Sequence, residues 1–463
     1  MLKWSQLRKE IKMCLFLAIP LAAAQLAQSA TGFVDTVMMG LLGSQKLAAG
    51  SLGATMFTVL LMITSGVLSA VSPLVAEAYG AGQSEQVRRF VQQGLWLSVL
   101  LAIPLSLVVW NGASVLSLLG QQAETVTLAE GYLKAIAWGC FPGLGFVVLR
   151  SYIAALSQTR PVMLIVILGT LLNIAGNYVF MFGKLGFPEM GLAGIGWASA
   201  LSFWAMFLSS IFYILWKPLF QQYQTFQGFT QFNGKMFKKL LKVGVPISGL
   251  IALEAGLFAT ITLLMGRFGT VPLAAHQVAL QSAALSFNVP LGISMATTVR
   301  VGQLLGQKDI RTARLAGFIG IWLSGLFMGA MAIVFWRFPE RIVALYLDLN
   351  NPSNLAVVDT AKVLLGIAAV FQIVDGIQVA AAGALRGLQD TQMAMLIALF
   401  AYWGVGLPSC MLLAYRLGLG ATGLWWGAAM GLAAAAIVLP WRFNQYTKGI
   451  VRSRLPKPSL FVK

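Results

Sequence analysis

The chain has 463 residues, 58% of them hydrophobic and 10% charged, with a formal net charge of +18. A soluble globular protein carries about 25% charged residues, so this composition excludes a surface that faces mainly water. The positive charge does not mark a nucleic-acid binder, because it is gathered in the short segments between long apolar runs.

Twelve runs have the length a bilayer demands, about 20 residues. They centre near Ala27, Leu60, Leu101, Phe146, Leu171, Phe207, Phe258, Leu285, Leu323, Val374, Ala398 and Leu432. Lipid cannot satisfy backbone N–H and C=O groups, so each run must be a helix. The first extends from about Met13 past Val37, too long for a cleaved signal peptide, and reads as a retained first span. Roughly three-quarters of the Lys and Arg residues fall on the side of the N-terminus, which by the positive-inside rule is cytoplasmic. Both termini are then expected in the cytoplasm of a plasma (inner) membrane, with the lipid bilayer as the partner. Cys14, Cys140 and Cys410 each lie in an apolar run and read as small buried hydrophobes, with no disulfide or metal set among them.

The chain repeats. At a lag of 226 residues Pro20 meets Pro246, Gly40 meets Gly266, Gly43 meets Gly269, and Leu47-Ala48-Ala49 meets Leu273-Ala274-Ala275. Gly66, Val75, Gly80 and Arg88 meet Gly292, Val301, Gly306 and Arg314. Later the lag is 232 at Leu156/Leu388 and Thr159/Thr391, then 229 at Gly191/Gly420, Gly194/Gly423 and Trp197/Trp426. Six spans per half bring the second half into the membrane from the same side as the first, a parallel repeat. The expected fold is an all-α integral membrane protein of twelve transmembrane helices in two pseudo-symmetric six-helix lobes. Its expected divisions are 1–216, a cytoplasmic linker 217–243 rich in Gln and Lys, and 244–463 with a basic cytoplasmic tail.

Of the 14 acidic residues, eleven read as lying at helix ends or in loops. Asp35, Glu254 and Asp375 fall inside spans one, seven and ten. A charge at mid-bilayer costs about 2.5–3.5 kcal/mol, so each must face an interior cavity or a polar neighbour. The alternatives are an ion or proton site and a structural hydrogen bond between helices. The lag puts Glu254 opposite Gln28 and Asp35 opposite Ile261, two helical turns out of step, and puts Asp375 opposite Gly143. Asn173 and Asn177, spaced i,i+4, share a face of span five. Their amides suit either a proton or Na+ network or plain helix-to-helix bonding. His276, followed by Gln277, opens span eight. Pro20, Pro104, Pro142, Pro246, Pro290 and Pro408 fall inside spans and should kink them. No phosphate-binding loop or metal-hydrolase motif is present, so the expected driving force is an ion gradient and the expected activity is not enzymatic.

Val34-Asp35-Thr36-Val37-Met38-Met39-Gly40, Ala274-Ala275-His276-Gln277 and the run Asp375-Gly376-Ile377-Gln378 through Arg386-Gly387 resemble motifs of the multidrug and toxic compound extrusion family, nearest its NorM branch. The resemblance covers nearly the whole chain. It implies export of small organic cations in exchange for H+ or Na+ by alternating access. It implies that Glu254 and Asp375 are the ion and substrate acids of the second lobe, and that Asp35, Asn173 and Asn177 form the ion-coupling site of the first. Gln277, Phe57 and Phe287 join Glu254 and Asp375 as expected substrate contacts, and Trp138 is a further aromatic candidate. No cofactor is implied beyond the coupling ion, and a metal enters only as Na+ at Glu254 and Asp375. Na+-coupled members carry Tyr where this chain has Phe371, which favours H+. Glu254 and Asp375 are expected to exchange protons as one unit: deprotonated they draw a cation in, and protonation from outside releases it. A monomer suffices for this, and no nucleic-acid partner is expected. The competing readings are a lipid-linked precursor flippase, which calls for a cationic cavity, a membrane enzyme, which calls for a catalytic cluster at one membrane face, and a scaffold, which leaves the acids unexplained.

Overall fold

The computed structural model describes residues 4–228, 231–349 and 351–454, the last three of them by main chain only. Twelve spans follow in chain order: α1 (Trp4–Leu41), α2 (Ser44–Leu68 continued by Val71–Gly80), α3 (Ser84–Trp110), α4 (Ala123–Ala137 continued by Cys140–Ala155), α5 (Thr159–Phe182) and α6 (Leu192–Trp216). The second set is α7 (Gly234–Gly266), α8 (Thr270–Gly306), α9 (Ile310–Arg337), α10 (Leu355–Gly387), α11 (Thr391–Arg416) and α12 (Gly420–Arg454). Eleven are long and apolar enough to cross a membrane singly, and the two pieces of α4, bent by 47°, make the twelfth. No strand occurs among the described residues.

The prolines act in two ways. A proline removes the bond to the carbonyl four residues earlier and crowds it. In α4 that carbonyl belongs to Trp138, four before Pro142, and the helix breaks at Trp138–Gly139. In α2 it belongs to Ser69, four before Pro73, and the helix breaks at Ser69–Ala70. In α11 it belongs to Gly404, four before Pro408, inside a π-helical stretch, Phe400–Gly406, whose wider turn tolerates the lost bond. Around Pro20, Pro104, Pro246 and Pro290 the helices continue.

Compactness divides the chain differently from the expected 1–216, 217–243 and 244–463. The first unit is Ala23–Ser248; the second is Met1–Ala22 with Gly249–Lys463. The chain passes between units inside α1 and inside α7, two residues after Pro20 and two after Pro246. These crossings are separated by the same lag of 226 as the repeat. The segment 217–243 therefore belongs to the first unit, and Gly234–Ser248 is the opening half of α7 within it.

Packing explains the exchange. In the second unit α1 lies against α8 so closely that a Cβ on Gly292 would come within 2.5 Å of the Ala22 backbone. Glu10, 2% exposed, receives two bonds from Arg300 of α8, 2.8 Å from Nε and 2.7 Å from the other nitrogen, and Gln6 donates to Thr312 of α9 at 2.8 Å. Glu10 is thus a buried, paired acid, where the sequence reading had placed it at a helix end. In the first unit, α7 lies on α2, the repeat mate of α8. Ser248 donates to the Ile63 carbonyl at 2.7 Å, and Gly244 abuts Val67. The repeat-related Gly43 and Gly269, at φ 103° and 108°, are the residues before α2 and α8, a backbone region open only to glycine.

Candidate functional site

Each unit gathers polar side chains around a membrane acid. In the first unit α1 supplies Asp35, α5 supplies Asn173 and Asn177, and α6 supplies Ser199. Asn177 Nδ2 donates to Asp35 Oδ1 at 2.6 Å and to Asn173 Oδ1 at 3.2 Å. Asn173 Nδ2 donates to Ser199 Oγ at 3.0 Å, and Ser199 Oγ donates in turn to Asp35 Oδ2 at 3.4 Å. The bonds close a ring: each carboxylate oxygen of Asp35 has a donor, and each donor is oriented by another member. Both asparagines are fully buried, and Asp35 is half-buried. One turn earlier on α1 the Thr31 hydroxyl pairs with Thr170 of α5 at 2.9 Å, which fixes the two helices in register.

In the second unit α7 supplies Glu254 and α10 supplies Asp375 and Gln378. The Gln378 amide nitrogen donates to Asp375 Oδ1 at 3.1 Å and to Glu254 Oε1 at 3.4 Å. Tyr402 of α11 donates to Gln378 Oε1 at 2.8 Å, which fixes the orientation of the amide and turns its NH2 to the acids. Arg386, further along α10, lies within electrostatic reach of Glu254. Asp375 is 5% exposed, and Glu254 is half-buried.

α10 is held where it is by hydroxyl donors on its neighbours. Ser324 donates to the Gly376 carbonyl at 2.7 Å, Ser294 to that of Val379 at 2.7 Å, and Thr298 to that of Gly383 at 2.8 Å. Such bonds between helices replace the hydrophobic drive that lipid does not supply. The motif glycines of α10 let those neighbours approach, since a Cβ on Gly376 or Gly383 would collide with Ser324 and Met328 or with Ser294.

The family model described as MatE matches residues 20–179 and again 246–412. The two matches start 226 residues apart, on the repeat-related Pro20 and Pro246. A probable multidrug resistance protein NorM from Synechococcus sp. is 46% identical over 442 residues, 96% of this chain and 95% of that one. Another so named from Synechocystis sp. is 46% identical over 439 residues, 95% of each. The chain belongs to the MatE family. A solved eukaryotic MATE transporter, AtDTX14, superposes with a TM-score of 0.85 at 21% identity, covering 97% of this chain and 99% of that one; at that identity the likeness speaks to the fold.

Within this MatE chain the structure joins Asp35 to Asn173 and Asn177, and Glu254 to Asp375 through Gln378. It adds Ser199, Gln378 and Tyr402. Gln378 stood in the α10 motif, one turn after Asp375, and its spacing could have flagged it. Ser199 and Tyr402 come from other helices and had no local signal; Ser199 also falls outside both matched segments. Gln277 lies on the exposed face of α8, while His276 beside it is buried, because neighbouring residues on a helix point about 100° apart. Phe287 is half-buried on α8. Phe57 is buried in the first unit against Phe203, with ring centroids 6.1 Å apart. Trp138 is exposed and, with Trp110, Phe141 and Trp204, lines an apolar crevice of about 510 Å³ in the first unit. Phe371 is buried and packs edge-on against Phe258 and Trp425.

Proposed function

We propose that this protein is a multidrug exporter that carries organic cations out of the cytoplasm in exchange for H+, by alternating access. The observation that carries the reading is the single Gln378 amide shared by Asp375 and Glu254. Two carboxylates that share one neutral donor, with Arg386 the one positive charge described within reach of Glu254, call for one more positive charge, and a proton or an organic cation can each supply it. Competition for one pair of acids couples the two fluxes without any contact between proton and cargo. The relatives named as multidrug resistance proteins support the cargo class.

The oxygens around the two acids are each other's, the Gln378 amide's and the Tyr402 phenol's, with Arg386 within electrostatic reach of Glu254, a set that suits a proton. Na+ asks for more oxygen ligands than this group offers, and the nearest ring one turn before Asp375 belongs to Phe371, which has no hydroxyl. Asp35 belongs to the same scheme as a coupling acid of the first unit, where Asn173, Asn177 and Ser199 hold it. The protein works as a monomer in the inner membrane with both termini in the cytoplasm.

The test is transport in proteoliposomes. An imposed pH gradient should drive uptake of ethidium, and Glu254→Gln and Asp375→Asn should abolish it. Full activity in both variants ends the carboxylate-exchange reading. A Na+ gradient at fixed pH should drive none, and uptake under that gradient would replace H+ by Na+.

A further inference from the structure

Tyr402 and Trp403 are consecutive residues of the π-helical stretch Phe400–Gly406 in α11, yet they serve two different helices. Tyr402 donates to Gln378 of α10. Trp403 donates from Nε1 to the main-chain carbonyl of Leu253 on α7 at 3.2 Å. Leu253 is the residue before Glu254. The same indole lies over Gly256, where a Cβ would come within 3.1 Å of the ring. Two turns nearer the start of α7, Gly249 makes room for Met395 of α11 in the same way. Gly249, Leu253 and Gly256, spaced i, i+4 and i+7, form one stripe, and this is the side of α7 that α11 grips.

Glu254 does not lie on that stripe. Successive residues of an α-helix point about 100° apart, which sets Glu254 about 100° from Leu253 and about 160° from Gly256, on the side of Gln378. The bond from Gln378 to Glu254, at 3.4 Å, is near the outer limit for a hydrogen bond. A side-chain end lies roughly 6 Å from its helix axis, so a turn of α7 by about 20° carries the carboxylate about 2 Å and breaks that bond. The bond from Gln378 to Asp375, at 3.1 Å, is made within α10 and does not feel the rotation of α7. Among the described residues, the only other side-chain hydrogen bond holding this half of α7 to a neighbour is Thr262 with His276, about 12 Å further along the axis.

We propose that Trp403 is a positioning residue for the acid pair. Its bond to Leu253 and its seat on Gly256 fix how far α7 is turned, and so keep Glu254 within reach of the amide it shares with Asp375. Tyr402 aims that amide from the same stretch of α11, so one π-helical segment aligns the donor and one of its two acceptors. The effect on geometry stands on these contacts alone; the effect on transport rests on the exchange proposed above.

A structure of Trp403→Leu in lipid should place Glu254 beyond hydrogen-bond reach of Gln378 and leave Asp375 bonded to it. A Glu254 that stays bonded to Gln378 overturns the proposal, whatever is transported. Where Trp403→Leu does not fold, Gly256→Ala puts the same question from the α7 side, with the same change expected. In proteoliposomes, ethidium uptake by Trp403→Phe, which keeps a ring and loses the N–H, should fall roughly three- to tenfold through a higher KM. Gly256→Ala should fall likewise, and the double variant should lose no more than the worse single one, because both act at one seat. Additive losses, or full uptake in both single variants beside an inactive Glu254→Gln, overturn the proposal. Full uptake in Glu254→Gln itself ends the exchange reading instead, and the structure of the variant still decides the role of Trp403.

Discussion

The two units share a scaffold and solve the problem of a membrane acid in opposite ways. In the first, one carboxylate is met by two donors, Asn177 and Ser199, and Asn173 completes a closed ring. In the second, two carboxylates share one amide. A ring that meets both oxygens of its acid with neutral donors lessens that acid's demand for a cation. A pair that shares one neutral donor, even with Arg386 within reach of Glu254, stays one positive charge short, which is the basis of the proposed exchange. The difference teaches that duplication conserved where the helices go, while the chemistry of each site was settled by three or four side chains. The anchors of α1 and α7 diverge in the same way. The second unit holds α1 by the buried pair Glu10–Arg300, and the first holds α7 by a hydroxyl-to-carbonyl bond and the half-exposed ion pair Lys239–Glu77 at 3.5 Å.

The comparison can be broken most directly at the acids. Asp375→Asn should abolish gradient-driven ethidium uptake, whereas Asp35→Asn should lower it by about tenfold, roughly 1.4 kcal/mol. Equal losses would erase the distinction between the units. Next in size is the anchor. Glu10→Gln strands Arg300 in a buried site and should cost about 3–5 kcal/mol of stability, seen as a drop in the melting temperature of the purified protein. Glu85→Gln, at an exposed pair with Arg88 and Arg89, should leave the melting temperature nearly unchanged. Gln378→Leu removes the shared donor. A hydrogen bond to a charged group is worth about 1.5–3 kcal/mol, so transport should fall roughly 10- to 100-fold with folding intact by tryptophan fluorescence. The smallest effect is expected of Tyr402→Phe, which frees the Gln378 amide to turn. It should cost about 0.5–1.5 kcal/mol, a loss of tenfold or less in transport rate, and a larger loss would mean that Tyr402 itself touches the cargo.

Much of this was legible in the sequence, and the reasons are local. Apolar length gave the spans, a constant lag gave the repeat, and rarity singled out the three acids. The i,i+4 spacing of Asn173 and Asn177 placed them on one face, and both appear in the Asp35 ring. What stayed hidden was pairing across sequence distance. Nothing around Ser199 or Tyr402 distinguishes them from other hydroxyls in spans. Glu10 reads from the sequence as an acid at a helix end or in a loop, because its partner Arg300 stands 290 residues on. The exchange of α1 and α7 was hidden for the same reason. Pro20 and Pro246 advertise a break in hydrogen bonding, but only the close approaches at Gly292 and Gly244 show which unit receives each end.

The wide turns of α11 carry an evolutionary consequence. α5 spans 24 residues and its mate α11 spans 26. α11 contains two π-helical stretches, Phe400–Gly406 and Leu412–Arg416, and each such turn accommodates one added residue without moving the helix ends. The stretch that follows is correspondingly short, 417–419 before Gly420 against 183–190 before its mate Gly191. Two insertions taken up within a helix and five residues trimmed from a loop leave a net change of three, the same step by which the lag falls from 232 to 229 between Thr391 and Gly420. The record of growth and loss since the ancestral duplication is thus written in the backbone of a single helix.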